Sequence, residues 1–100
     1  MPYTTLTLVA RIKAKDGMEE KVRRELMSLL SPTRLEAGCI DYNLYQSTDD
    51  KSLFMFFEDW ASKDDLEKHR QMPYLKAWKE KAKDLLEQPA EVTLWEMITR

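Results

Sequence analysis

The sequence predicts an α+β domain of order β-α-β-β-α-β around one four-stranded antiparallel sheet. Three observations predict it. Four segments of strand length divide into two faces with the period of a strand, and two longer regions repeat apolar residues at helical spacing. A polar turn with no helix in it joins the second and third strands. Two β-α-β units linked through a hairpin make the split βαβ, or ferredoxin-like, arrangement. A chain of 100 residues holds one such domain and no second core.

The first strand is expected from Thr4 to Lys15. Leu6, Leu8, Ala10 and Ile12 fall on one face, and Thr5, Thr7, Val9 and Arg11 on the other. Asp16-Gly17 ends it, and Asp16 with Glu19 fits a capping box for the helix that follows. That helix carries Met18, Val22, Leu26, Leu29 and Leu30 on one side and Lys21, Arg23, Arg24 and Glu25 on the wet side. Ser31-Pro32 breaks it, and a short extension to Ala37 stops at Gly38, read as a left-handed cap.

Cys39 to Ser47 reads as the second strand, with Ile40, Tyr42 and Leu44 on one face. Thr48-Asp49-Asp50-Lys51 is the hairpin turn, and Leu53 to Trp60 the third strand. Ser62 caps a short helix through about Arg70. Pro73 suits the first turn of the last helix, whose stripe is Tyr74, Trp78, Ala82, Leu85 and Leu86. Gln88-Pro89 ends it, and Glu91 to Ile98 is the fourth strand.

Helices on one face of such a sheet leave the other face to water, and that face is expected to be polar. It is not. Phe54 and Phe56 oppose Met55 and Phe57 on the third strand, and Leu94 and Ile98 oppose Trp95 and Met97 on the fourth. A sheet apolar on both faces needs cover on both. Four or five large side chains left wet would forgo several kcal/mol at about 25 cal/mol per Å². No spare segment can supply the cover, so a homodimer with the two sheets back to back is expected.

Composition excludes several classes of function. Lys and Arg number 16 against 18 Asp and Glu, with no basic run, which argues against nucleic acid as partner. Gly17 and Gly38 are too far apart for a dinucleotide fingerprint or a phosphate loop. One cysteine, Cys39, and one histidine, His69, do not make a zinc site of the usual ligand count, so no metal and no cofactor is expected. The longest apolar run, Leu53 to Phe57, is too short for a membrane span, and no signal-peptide pattern is evident. The expected location is the cytoplasm.

Several segments, in order and spacing, resemble the antibiotic biosynthesis monooxygenase family of the dimeric α/β-barrel superfamily. They are the run from Val9 to Gly17, then Pro32-Thr33-Arg34 and Glu36-Ala37-Gly38-Cys39. The strongest are Phe56-Phe57-Glu58-Asp59-Trp60-Ala61-Ser62 and Leu66-Glu67-Lys68-His69, which runs into Pro73-Tyr74-Leu75-Lys76-Ala77-Trp78. The resemblance implies a dimeric barrel with a pocket inside each subunit, between sheet and helices. It also implies small oxygenases that oxidise quinol-like or phenolic polycyclic compounds without metal or flavin. Haem-degrading members, an isomerase of a phosphorylated metabolite and members of unknown role share the family. Trp60 matches the family's pocket-lining strand Trp, and His69 a common helix histidine. Tyr74 stands where many members have His after the Pro. Ala10 and Lys79 occupy the positions of the Asn and His that haem-degrading members use, so haem is not implied.

Cofactor-free oxidation of a phenol needs a base, a dry aromatic slot and donors for the substrate oxygens. His69 is the one side chain titrating near neutrality and is the candidate base; it can equally form a surface pair with Asp65 one turn earlier. Glu58 interrupts an apolar face, so it serves either as a second acid or base of raised pKa or as a partner of Arg11 or a helix lysine. Trp60 and Phe56 share its face as candidate ring walls or as core. Tyr74 and Trp78, one turn apart, roof the pocket or pack on the sheet, and Tyr42 offers a hydroxyl at the rim. Cys39 reads as a small buried residue. Lys76, Lys79, Lys81 and Lys83 read as a solvated helix face, with no basic cluster at the pocket mouth. The leading expectation is a monooxygenase acting on a quinol or phenolic compound. An isomerase of a small hydroxy-ketone and a non-enzymatic ligand-binding or stress-related module are the alternatives.

Overall fold

The computed structural model describes residues 5–99, so Thr4, where the first strand was expected to begin, lies outside them. The strands are β1 (Leu6–Lys13), β2 (Cys39–Gln46), β3 (Leu53–Trp60) and β4 (Glu91–Trp95). The helices are α1 (Glu19–Met27), α2 (Leu30–Arg34), α3 (Lys63–Arg70) and α4 (Pro73–Leu85). The sheet runs β2-β3-β1-β4, every pair antiparallel, as the split βαβ requires.

All helices pack on one face. Leu8, Ala10 and Ile12 of β1 and Phe54, Phe56 and Trp60 of β3 meet Val22, Leu26, Leu66, Leu75 and Trp78 in a single core. Leu75 was not on the expected stripe of the last helix. Register places Ala10 between Phe56 and Val92, so a methyl stands at the middle of the sheet where neighbouring strands carry larger side chains. On the opposite face the row Asn43, Phe57, Val9, Thr93 runs across all four strands, flanked by Tyr45, Met55 and Trp95. Phe57 is 36% exposed and Trp95 57%. The two-sided apolar pattern of β3 is therefore real, and its outer half is bare in the single chain.

Four local expectations are corrected. Gly17, not Gly38, holds the left-handed conformation, with φ of +85°. It sits in a turn closed by the Met18 N–H donating to the Lys15 carbonyl at 2.9 Å, where a β-substituted residue would be strained. Gly38 is required for space instead: a Cβ there would come within 2.1 Å of the Asp65 side chain. The Asp16–Glu19 capping box does not form, because the turn at Gly17 makes Met18 the N-cap, with no side-chain bond. The first helix breaks at Ser28-Leu29, before Pro32 rather than at it, since the proline ring excludes a helical carbonyl four residues back. A bulge between Cys39 and Asp41 turns Ile40 out to 52% exposure, off the face of Tyr42.

The fourth strand ends at Trp95, so Met97 and Ile98 follow it in irregular, exposed chain. Ser62 does cap α3, its Oγ accepting from the Asp65 N–H at 3.1 Å, and Pro73 opens α4. After α4 the chain turns extended at Leu86 and bridges to Ala14, which ties the end of the helix to the end of β1. Among the described residues no helix is long and apolar enough to cross a membrane.

Candidate functional site

A cavity of about 700 Å³ opens between the sheet and α4. Its floor is Leu8, Ala10 and Ile12 of β1 with Phe56 of β3, and Trp78 and Ala82 of α4 form the roof. Ala10 of the sheet and Ala82 of α4 both line it, and their small side chains leave room that larger ones would fill. Tyr42, Glu58 and His69 stand among these apolar side chains in the lining, and Arg70, Lys79, Lys83, Glu87 and Gln88 also border the cavity.

His69 lies on the inner face of α3, one turn after Leu66, and is 3% exposed. Its ring packs 4.6 Å from that of Trp60 and 5.6 Å from that of Tyr42, between centroids. Nδ1 is 2.9 Å from Oε2 of Glu36, and the Tyr74 hydroxyl donates to the same oxygen. A carboxylate oxygen accepting from Tyr74 makes Nδ1 the donor of the other bond, so in the neutral ring Nε2 keeps its lone pair. Burial depresses the His69 pKa below its ordinary 6.5, outweighing the opposing pull of Glu36, so the ring is a neutral base at pH 7.

Glu36 reaches His69 because the loop after α2 lies tightly on α3. Gly38 abuts Asp65, and its carbonyl accepts from the Ala61 N–H at 2.9 Å. Sequence reasoning missed Glu36. It is 33 positions from His69, on a loop, and shows no periodicity; its only signal was membership of the Glu36-Ala37-Gly38-Cys39 segment.

Glu58 is 4% exposed and has no cationic partner within 4.0 Å among the described residues. Trp60 Nε1–H donates to its Oε1 at 2.9 Å. Burial pushes its pKa up to about 7, against the smaller opposing effects of the Trp60 bond and of Arg70. The expected pairing with Arg11 is not made, since alternation sends Arg11 to the outer face of the sheet. The expected surface pair of His69 with Asp65 is not made either; Asp65 bonds Ser62 at the helix start.

His69, Glu58, Phe56, Tyr42 and Trp78 therefore converge on one cavity, while Trp60 and Tyr74 are not part of its lining. Trp60, fully buried, supports His69 and bonds Glu58; Tyr74 holds Glu36. Tyr42 stacks on Phe56 at 4.7 Å, and burial raises its pKa, keeping a phenol at the wall. The Cys39 thiol is pushed up to about 11 by burial, so it stays protonated. One absence read from the sequence is corrected: Arg70, Lys79 and Lys83 all border the cavity, so the fold assembles a basic rim that no sequence run displays. Among the described residues no three His, Cys, Asp or Glu side chains converge as a metal would need.

The family model described as antibiotic biosynthesis monooxygenase matches residues 5–81. The chain is 32% identical over 89 residues to Rv0793 of Mycobacterium tuberculosis, named as a candidate monooxygenase, across 89% of this chain and 87% of that protein. It is 33% identical over 92 residues to an uncharacterised protein, sll1783, of Synechocystis, covering 92% of this chain but only 63% of that longer protein. Among solved structures, PA3566 from Pseudomonas aeruginosa superposes with a TM-score of 0.93 at 32% identity over 99% of both chains. The Rv0793 structure superposes at 0.90, with 28% identity over 96% of this chain and 97% of that one.

Proposed function

Because the chain belongs to the antibiotic biosynthesis monooxygenase family, we propose that it is a monooxygenase that oxidises a quinol or phenolic polycyclic compound with dioxygen, without a cofactor. The observation that carries this reading is a buried His69, neutral at Nε2 and held at Nδ1 by Glu36, in a cavity walled by Phe56, Tyr42 and Trp78. About 700 Å³ lies within the usual range for ligand sites and accommodates a few fused rings.

His69 takes the phenolic proton, giving an anion rich enough to pass one electron to dioxygen. Superoxide and the ring radical combine at a hydrogen-bearing ring carbon ortho or para to the oxygen. The resulting peroxide takes up a proton, for which Glu58 is the near donor. The O–O bond then breaks as the ring C–H proton leaves. A phenol and dioxygen become a quinone and water, so atoms and electrons balance. The apolar lining excludes water from the charged intermediates. Trp60 acts as a positioning residue, through Glu58 and His69.

The working unit in this proposal is a homodimer that buries Phe57, Met55, Tyr45 and Trp95 between two sheets. Their exposure on a contiguous sheet face supports it. Oxygen uptake with a panel of naphthols and anthrone-type phenols tests the activity. Stoichiometric uptake with quinone formation is expected, and its loss on His69→Ala. Binding of every compound with no uptake in any case would overturn the proposal.

A further inference from the structure

The rim of the cavity carries a charge pattern that the oxidation itself does not use. Arg70 ends α3, and Lys79 and Lys83 lie one turn apart on α4, so three cations from two elements border one apolar opening. Arg70 leans on Glu67 at 2.8 Å and Lys83 on Glu80 at 3.0 Å, while Lys79 has no acidic partner within 4.0 Å among the described residues. Glu87 and Glu58 are the acidic residues of the lining itself, and Glu58 is the buried one. The walls below are aromatic and aliphatic. A ligand matched to this surface has a flat apolar body and one anionic end that stays at the mouth.

We propose that the substrate is an aromatic compound bearing an anionic substituent, a carboxylate or a phosphate, which Lys79 and Lys83 with Arg70 hold at the rim while the ring enters the cavity. This rests on the monooxygenase reading only for the identity of the ring chemistry; the anion preference is a property of binding. Lys79 and Arg70 also lie close enough to His69 for their charge to act on it. The anchored anion therefore sets the depth of the ring relative to the base and partly neutralises the rim.

The test compares matched ligands by calorimetry: naphthol against naphthyl phosphate, and naphthalenemethanol against naphthaleneacetate. The intact protein is expected to bind the anionic member of at least one pair about fivefold tighter or more at low salt, the summed effect of two or three exposed charge contacts. The gap should close at high salt. In the double variant Lys79→Gln with Lys83→Gln the anionic compound should fall to the affinity of its neutral partner. The pair that shows the gap tells whether carboxylate or phosphate is preferred. Equal affinities in both pairs, no binding by any of the four, or a preference that survives the double variant overturns the proposal. Oxygen uptake on carboxylated and plain naphthols is measured in parallel. An anion preference without uptake removes the oxygenase reading alone, and uptake without an anion preference removes the rim proposal alone.

Discussion

Nδ1 of His69 lies 2.9 Å from Oε2 of Glu36, and the two side chains are 3% and 8% exposed. The pair joins the inner face of α3 to the loop that leads into β2. It fixes which ring nitrogen faces outward from the bond, because a carboxylate can only accept. Replacing the carboxylate by an amide removes that constraint, since the amide NH₂ can donate to Nδ1 and leave the proton on Nε2. Glu36→Gln should therefore lower kcat about a hundredfold with the fold intact, and combining it with His69→Ala should cost little more than His69→Ala alone. Single-turnover kinetics on the three variants checks this; additive losses would contradict the coupling.

The buried carboxyl of Glu58 gives a stability prediction with a definite sign. Its folded pKa is raised from 4.5 to about 7, so its contribution is complete below pH 4.5 and is lost as pH rises through about 7. Glu58→Gln keeps the size and the bond from Trp60 but cannot ionise. Urea melts of the two proteins should coincide near pH 4 and diverge by up to about 3 kcal/mol in favour of the variant by pH 8.

Activity should follow the same groups. His69 must be unprotonated, and its pKa is depressed by burial, so the rising limb of the rate falls below pH 6.5. Glu58 as proton donor places the falling limb near pH 7. Glu58→Gln should abolish the falling limb and lower the plateau, which a pH profile of kcat/KM, the quantity governed by the free enzyme's groups, reads.

Gly38 and Asp65 touch without a Cβ between them, and a methyl at Gly38 would stand 2.1 Å from the Asp65 side chain. Gly38→Ala forces α3 and the loop apart, at a cost of about 1–3 kcal/mol, typical of overpacking. Asp65→Gly in the same chain, which also removes the Asp65 Cβ at 2.3 Å, should return part of that stability, measured by denaturant unfolding. Because the displaced loop carries Glu36, the single variant should lose activity as well as stability.

The bare outer face predicts the oligomer. The protein should sediment at twice the 11.9 kDa chain mass at micromolar concentration. Phe57→Lys, at the centre of that face, should shift it to the single chain or to insoluble material. A folded monomer of the unaltered protein would refute the back-to-back arrangement.

Periodicity settled the architecture because burial on a strand or helix is written into the spacing of the residues themselves. Phe54, Phe56, Glu58 and Trp60 alternate with Met55 and Phe57 in the chain and also in space, and that alternation alone exposed the need for a second cover on the sheet. The same rule put Phe56 and Glu58 on the inner face with Trp60. Contacts between distant segments carry no such signature. Only the tertiary structure brought Glu36 to His69, because a loop and a helix 33 positions apart meet where Gly38 lets them touch. It alone decided that Trp60 and Tyr74 stay out of the cavity lining, and that Arg70, Lys79 and Lys83 border the same cavity. A cavity is the space that packed elements leave between them, here with Ala10 of the sheet and Ala82 of α4 both in its lining, and no local pattern in the chain encodes how far apart two layers stand.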